Sequence, residues 1–339
     1  MLKFGFIGCG SAARHHADVV RVLGHKIYAV AARANSPNID SFAHDYQVSR
    51  KFGDWKEMLS HGDPDALILA TSWENTELIA KEIIQARLPV LIEKPLALSS
   101  RKVKEILAEV GEVQDRVMIG YNRRFYDFIP RLKEMIGSQP LISVELNCPD
   151  SYQDNVKRYG ERLREDILVY KTSHWLDLLI YLLGRVQIVK MHRRSGGVPA
   201  YNGILESPRK IPIHFQANFD APSQISLTLN FEDFICQLRP MEVLRIYEGM
   251  RLLEETREVP YRRYEPELKE EQITDFTYKP GFLNQIRHFI KACVEKKTEK
   301  SHGCSLQEVL QVTELCESIR GGKDFGESLP ENCWQTWNL

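Results

Sequence analysis

A glycine-broken turn near the start of the chain constrains its fold more than any other feature. Gly8-Cys9-Gly10-Ser11-Ala12-Ala13 follows directly on the apolar run Lys3–Ile7, which reads as a buried strand. A helical pattern follows over Ala12–Leu23, then a second apolar run over Lys26–Ala32. In a strand–turn–helix setting, G-x-G-x-x-A is a dinucleotide grip. Gly8 lets the chain turn tightly, Gly10 lets backbone approach a pyrophosphate, and Ala13 lets the helix pack close to the strand. The helix start, at Ser11 and Ala12, then aims unpaired N–H groups at the phosphates.

The alternation continues to about residue 120. Ala66–Thr71, Val90–Glu93 and Val117–Gly120 read as strands, and Glu77–Gln85 carries apolar residues at helical spacing. Strands alternating with helices predict right-handed βαβ units, hence a parallel Rossmann sheet with helices on both faces. Beyond residue 120 the pattern changes. Leu141–Cys148, Gln187–His192, Ile211–Phe219, Gln224–Phe231, Phe234–Leu238 and Val243–Glu248 are strand candidates, several with no helix between them. Helices are expected at Ile167–Leu183, Gly281–Glu295 and Ser305–Ile319. The predicted class is α/β: a Rossmann domain over 1–120, then an α/β domain over 121–339 with a large open, mostly antiparallel or mixed sheet.

Composition removes other classes. The 339 residues carry a net charge of −1 with both signs mixed throughout, which leaves no footprint for nucleic acid or an anionic membrane. No apolar run approaches bilayer length, and the first one is too short for a signal peptide. Seven scattered cysteines without a CxxC pair predict reduced thiols and no metal site. Together these features predict a cytoplasmic protein. Tyr261–Lys269 mixes aromatic and basic residues and reads as a loop or lid, while Trp334 and Trp337 read as anchors for the tail.

The second-strand tip selects between dinucleotides, because an acid there bonds the ribose hydroxyls and repels a 2′-phosphate. This chain reads Val30-Ala31-Ala32-Arg33-Ala34-Asn35-Ser36, with no carboxylate and with Arg33 available to pair with a phosphate. NADP(H) is therefore expected in preference to NAD(H).

From Val90 the chain reads VLIEKPLA, and it goes on to GYNRRF at 120–125, SHWLDLLIYLLG at 173–184 and FLNQIRHFIKACVEKK at 282–297. With FIGCGSAARHH at the start, this set resembles the Gfo/Idh/MocA family (glucose–fructose oxidoreductase, inositol dehydrogenase and rhizopine catabolism) over nearly the whole chain. The resemblance implies a dehydrogenase acting on CH–OH groups of a sugar, cyclitol or nucleotide-sugar. It also implies a homo-oligomer, dimer or tetramer, assembled through the C-terminal sheet.

It further implies that Lys94 of Glu93-Lys94-Pro95 lies beside the nicotinamide, where it exchanges a proton with the reacting oxygen. Pro95 holds Lys94 out of helical geometry. His174 is implied as a second proton-handling group, and Asp177, three residues on, could orient its ring. Thr71, Ser72 and Asn75 are expected as cofactor-side contacts. Asn122, Arg123 and Arg124 offer amide and guanidinium groups to substrate oxygens.

Two positions depart from the family. Tyr170 stands where an aspartate is usual, offering a neutral phenol for hydrogen bonding, and Thr76 stands in the loop after the fourth strand where histidine is common. His16 reads as a helix-packing residue. Two other functions fit the sequence: a trans-dihydrodiol or imine-type dehydrogenase, and a non-catalytic NAD(P)-binding sensor or scaffold.

Overall fold

The computed structural model describes residues 1–33, 36–161, 163–194, 196–297 and 303–324. Ala34, Asn35, Trp334 and Trp337 lie outside the described residues. The chain folds as two compact units. One comprises Met1–Pro130, Leu176–Tyr181 and Thr274–Glu314; the other comprises Arg131–Trp175, Leu182–Ile273 and the described residues from Leu315.

In the first unit six strands, β1 (Lys3–Ile7), β2 (Lys26–Ala31), β3 (Arg50–Phe52), β4 (Ala66–Leu69), β5 (Val90–Ile92) and β6 (Val117–Ile119), form one sheet. The order is β3-β2-β1-β4-β5-β6 and all pairs are parallel, as the strand–helix alternation predicts. The order reverses between β1 and β4, and in open α/β sheets ligands bind outside the carboxyl ends of strands at such a point. The central strands are apolar because both faces are covered, with all four residues of β4 and all three of β5 buried, whereas the edge strand β3 exposes Arg50 and Lys51.

The later helix Phe282–Phe289 packs in the same core. Phe289 lies 6.5 Å from the Phe4 ring, and Phe282, Ile286, Phe289, Ile290 and Cys293 join the cluster around Phe4, Ala17 and Val20.

The second unit is built on nine strands: β7 (Leu141–Asn147), β8 (Gln187–Arg194), β9 (Ala200–Glu206), β10 (Pro212–Asn218), β11 (Ser226–Phe231), β12 (Phe234–Leu238), β13 (Val243–Leu253), β14 (Arg263–Ile273) and β15 (Lys323–Asp324). Their order is β14-β13-β12-β11-β7-β10-β9-β8-β15. Two pairs, β10–β7 and β15–β8, are parallel and the others antiparallel, so the sheet is mixed. In β10, Ile213, Phe215 and Ala217 are buried while Pro212, His214 and Gln216 are exposed, the two-residue period of a sheet covered on one face.

Three expectations need correction. The Tyr261–Lys269 stretch is largely strand, because from Arg263 onward it pairs with β13 as an edge. Ile167–Leu183 is not one regular helix: Leu163–Ile167 leads into a wide π turn at Leu168–Thr172, and a regular helix resumes over Ser173–Leu183. Thr76 lies inside the helix Trp73–Gln85 rather than in a loop, because Ser72 starts that helix earlier than the apolar spacing suggested.

Candidate active site

At the β1 tip, Gly8 has a φ of +103°, and a Cβ there would stand 2.2 Å from the carbonyl oxygen of Ala70. The fold itself requires this glycine. Gly10 differs: its backbone is extended at φ −79° and a Cβ would meet nothing within 4 Å. Any residue could adopt that conformation, so the open space above Gly10 is room for something outside the chain. The helix Ser11–Val22 begins there with no side-chain cap and no acid in its first turn, and Ala13 is buried against the core. Exposed N–H donors, a positive dipole end and a bare approach suit a pyrophosphate.

Gly10→Ser tests this separation of roles. Serine is a good N-cap, so stability should hold or rise by a few tenths of a kcal/mol. Its hydroxyl would take the same N–H groups and fill the approach, so dinucleotide affinity should fall about tenfold or more, roughly 1.4 kcal/mol. Calorimetry beside thermal unfolding reads both effects, and unchanged affinity would count against the grip.

The other strand ends contribute in turn. Beyond β2, Arg33 is exposed, and its carbonyl accepts a bond from the Ser36 N–H at 2.8 Å. Beyond β4, the Thr71 hydroxyl lies 2.9 Å from that of the buried Thr76, and the Asn75 amide donates to the Ser72 hydroxyl at 3.0 Å. Thr76, inside the helix, thus holds the Thr71 hydroxyl at the end of β4.

Beyond β5 come Glu93 and the half-buried Lys94, joined to Pro95 by a cis peptide bond. Glu93 is met by a residue that sequence reasoning left as packing. His16 is fully buried, and its Nε2 lies 2.7 Å from Glu93 Oε1. Burial is the strongest influence on the Glu93 carboxyl and pushes it up. The His16 bond, with the charges of His16, Lys279 and Lys94, outweighs burial and holds Glu93 below the usual carboxylate range.

Beyond β6 the chain makes a tight turn, Asn122–Phe125. Asn122 is buried, donating to the Pro280 carbonyl at 2.8 Å and accepting from Arg123 at 2.5 Å. Arg124 corrects the expectation that it reaches substrate. It is 2% exposed and binds Asp177 through Nε at 2.8 Å and Nη2 at 2.6 Å. Its Nη1 donates to Glu308 at 2.7 Å, and its guanidinium lies 4.9 Å from the Tyr181 ring centre. Burial pulls the guanidinium down, yet Asp177 and Glu308 keep it charged, well above its ordinary value. Both Asp177 oxygens serve Arg124, so Asp177 is not a dedicated partner for the His174 ring.

His174, in the second unit, is half-buried at the start of the helix Ser173–Leu183, with its ring 6.4 Å from Trp175. Tyr170 lies in the π turn, 5.1 Å from the Tyr159 ring. Such turns recur at functional sites. The structure therefore gathers Gly8, Gly10, Ser11, Ala12, Ala13, Thr71, Ser72, Asn75, Glu93 and Lys94 at the carboxyl edge of the first sheet, with Arg33 at the β2 end. Among the described residues, no three His, Cys, Asp or Glu side chains gather as a metal site, and no helix is long and apolar enough to cross a membrane.

Comparison with known proteins shows what this fold resembles. Residues 2–121 match a family model described as an oxidoreductase family with an NAD-binding Rossmann fold, GFO_IDH_MocA. Inositol 2-dehydrogenase of Burkholderia cenocepacia is 31% identical over 189 residues, 54% of this chain and 55% of that protein. The chain thus spans about half the length of the curated relatives it matches. Among solved structures, UDP-N-acetylglucosamine 3-dehydrogenase GnnA of Acidithiobacillus ferrooxidans superposes with a TM-score of 0.71 at 17% identity, over 95% of this chain and 97% of that one. The WlbA dehydrogenase of Bordetella pertussis, in complex with NADH and UDP-GlcNAcA, gives 0.67 at 18% identity, over 94% and 95%. At these identities the superpositions establish the fold. Residues 2–121 thus match the NAD-binding Rossmann fold of the Gfo/Idh/MocA oxidoreductase family, and nearly the whole chain shares the fold of these solved structures.

Proposed function

We propose that this protein is an NAD(P)-dependent dehydrogenase or reductase, acting on a secondary alcohol or ketone of a sugar, cyclitol or nucleotide-sugar. One observation carries the reading: the uncapped helix start above Gly10 and the Glu93-Lys94 pair share one edge of the parallel sheet. Gly8, Gly10 and Ser11–Ala13 would hold the pyrophosphate, with Thr71, Ser72 and Asn75 contributing from the β4 end. A bound nicotinamide would supply the hydride acceptor or donor. Lys94 takes the hydroxyl proton during oxidation and returns it during reduction. His174 is the second proton-handling group, and the Tyr170 phenol donates a hydrogen bond to a substrate oxygen without adding charge. The relatives named for inositol and UDP-sugar chemistry support the substrate class. Reduced-nicotinamide absorbance, followed across a panel of cyclitols, sugars and nucleotide-sugars, tests the reading, and silence across that panel with bound cofactor would count against it.

The bare β2 end with Arg33 supports NADP(H) over NAD(H). Calorimetric titration should show tighter NADP(H) binding in the wild-type chain and loss of that preference in Arg33→Asp. Equal or weaker NADP(H) binding by the wild type would overturn the preference.

A further inference from the structure

The reaction proposed above makes no use of His16, yet three elements are shaped around its bond to Glu93. The two residues are 77 apart in sequence and 2.7 Å apart at Nε2 and Oε1. Gly120 leaves the carboxylate its room, since a Cβ there would stand 3.2 Å from Cα, Cδ and Oε2 of Glu93. The Phe282 ring lies 4.5 Å from the imidazole, and the Lys279 ammonium lies 4.6 Å from that ring. Simple packing on a helix would be served by an apolar side chain, with no buried polar group to satisfy.

We propose that His16 is a positioning residue for Lys94: its bond fixes Glu93 as an ionised counter-charge next to Lys94 in the chain, and so sets the charge state of the Lys94 amine. The proposal rests on the reading of Lys94 as the proton-handling residue. Its physical basis is a balance at Glu93. Burial alone would push that carboxyl up, and the His16 bond is the largest influence opposing it. Among the described residues, His15, Lys94 and Lys279 act electrostatically on the pair. Without the His16 bond, the largest influence opposing burial is gone, and Glu93 shifts toward its protonated form. Lys94 then loses a negative neighbour, its cationic form is less favoured, and its pKa falls.

The test needs neither substrate nor dinucleotide. The ε-amine of Lys94 is titrated by NMR in the isotopically labelled apo protein, its signal assigned with Lys94→Arg. Glu93→Gln and His16→Leu should lower the Lys94 midpoint by about half a pH unit or more. His16→Gln, whose amide can still donate to Glu93, should keep the wild-type midpoint. An unmoved midpoint in His16→Leu, or equal shifts in His16→Gln and His16→Leu, would overturn the proposal; the two His16 variants decide alone if Glu93→Gln does not fold. Failure of the dehydrogenase reading shows separately, as a wild-type chain with these midpoints and no turnover of any panel substrate.

Discussion

Lys94→Ala should lower kcat by about 10²- to 10⁴-fold, the usual contribution of a positioned acid–base group, while dinucleotide affinity stays near the wild-type value. The grip on the cofactor comes from the backbone at Gly8–Ala13 and the helix start, which the substitution leaves untouched. Lys94→Arg sharpens the test. It keeps the positive charge but cannot surrender a proton near neutral pH, so it should be as inactive as the alanine variant. If charge alone mattered, the arginine variant would recover activity. Stopped-flow hydride transfer with a substrate from the panel, alongside calorimetry with the dinucleotide, separates these cases, and full turnover by Lys94→Ala would end the proposed mechanism.

Arg124→Ala should destabilise the protein by about 3–5 kcal/mol, because it strands Asp177 as an uncompensated charge in the interior. Both side chains of the pair are fully buried, and Glu308 and the Gly303 carbonyl also depend on the same guanidinium. The ion pair itself need not be net stabilising. Replacing both partners with apolar residues, Arg124→Met with Asp177→Leu, should recover much of the loss, since desolvation of the two charges disappears along with their attraction. Urea unfolding of the two single variants and the double variant completes the cycle. A loss below about 1 kcal/mol for Arg124→Ala would mean that Asp177 finds another partner or a proton at little cost.

How far the sequence reveals this protein depends on the range of the interactions involved. The first sheet is legible because β1, β2, β4, β5 and β6 are apolar runs at βαβ spacing, and burial on both faces demands that composition. The edge strand β14 reads RYEPELKEEQI, and its strand character comes from its ladder with β13 rather than from its own residues. The site divides in the same way. Gly8, Gly10 and Lys94 announce themselves through local motifs. His16 does not, since its partner is 77 residues away and a helix histidine at a packing position looks the same with or without it. Arg124 misled for a related reason: 53 residues separate it from Asp177, and only the folded chain shows that its donors are already committed.

The apolar face that Phe282, Ile286, Phe289, Ile290 and Cys293 cover belongs to residues made far earlier, among them Phe4, Ala17 and Val20. During synthesis, the ribosome will have released the whole six-stranded sheet long before the segment that seals it emerges. The nascent sheet must therefore wait with a bare hydrophobic flank, and its core can be completed only once residues 282–293 have emerged.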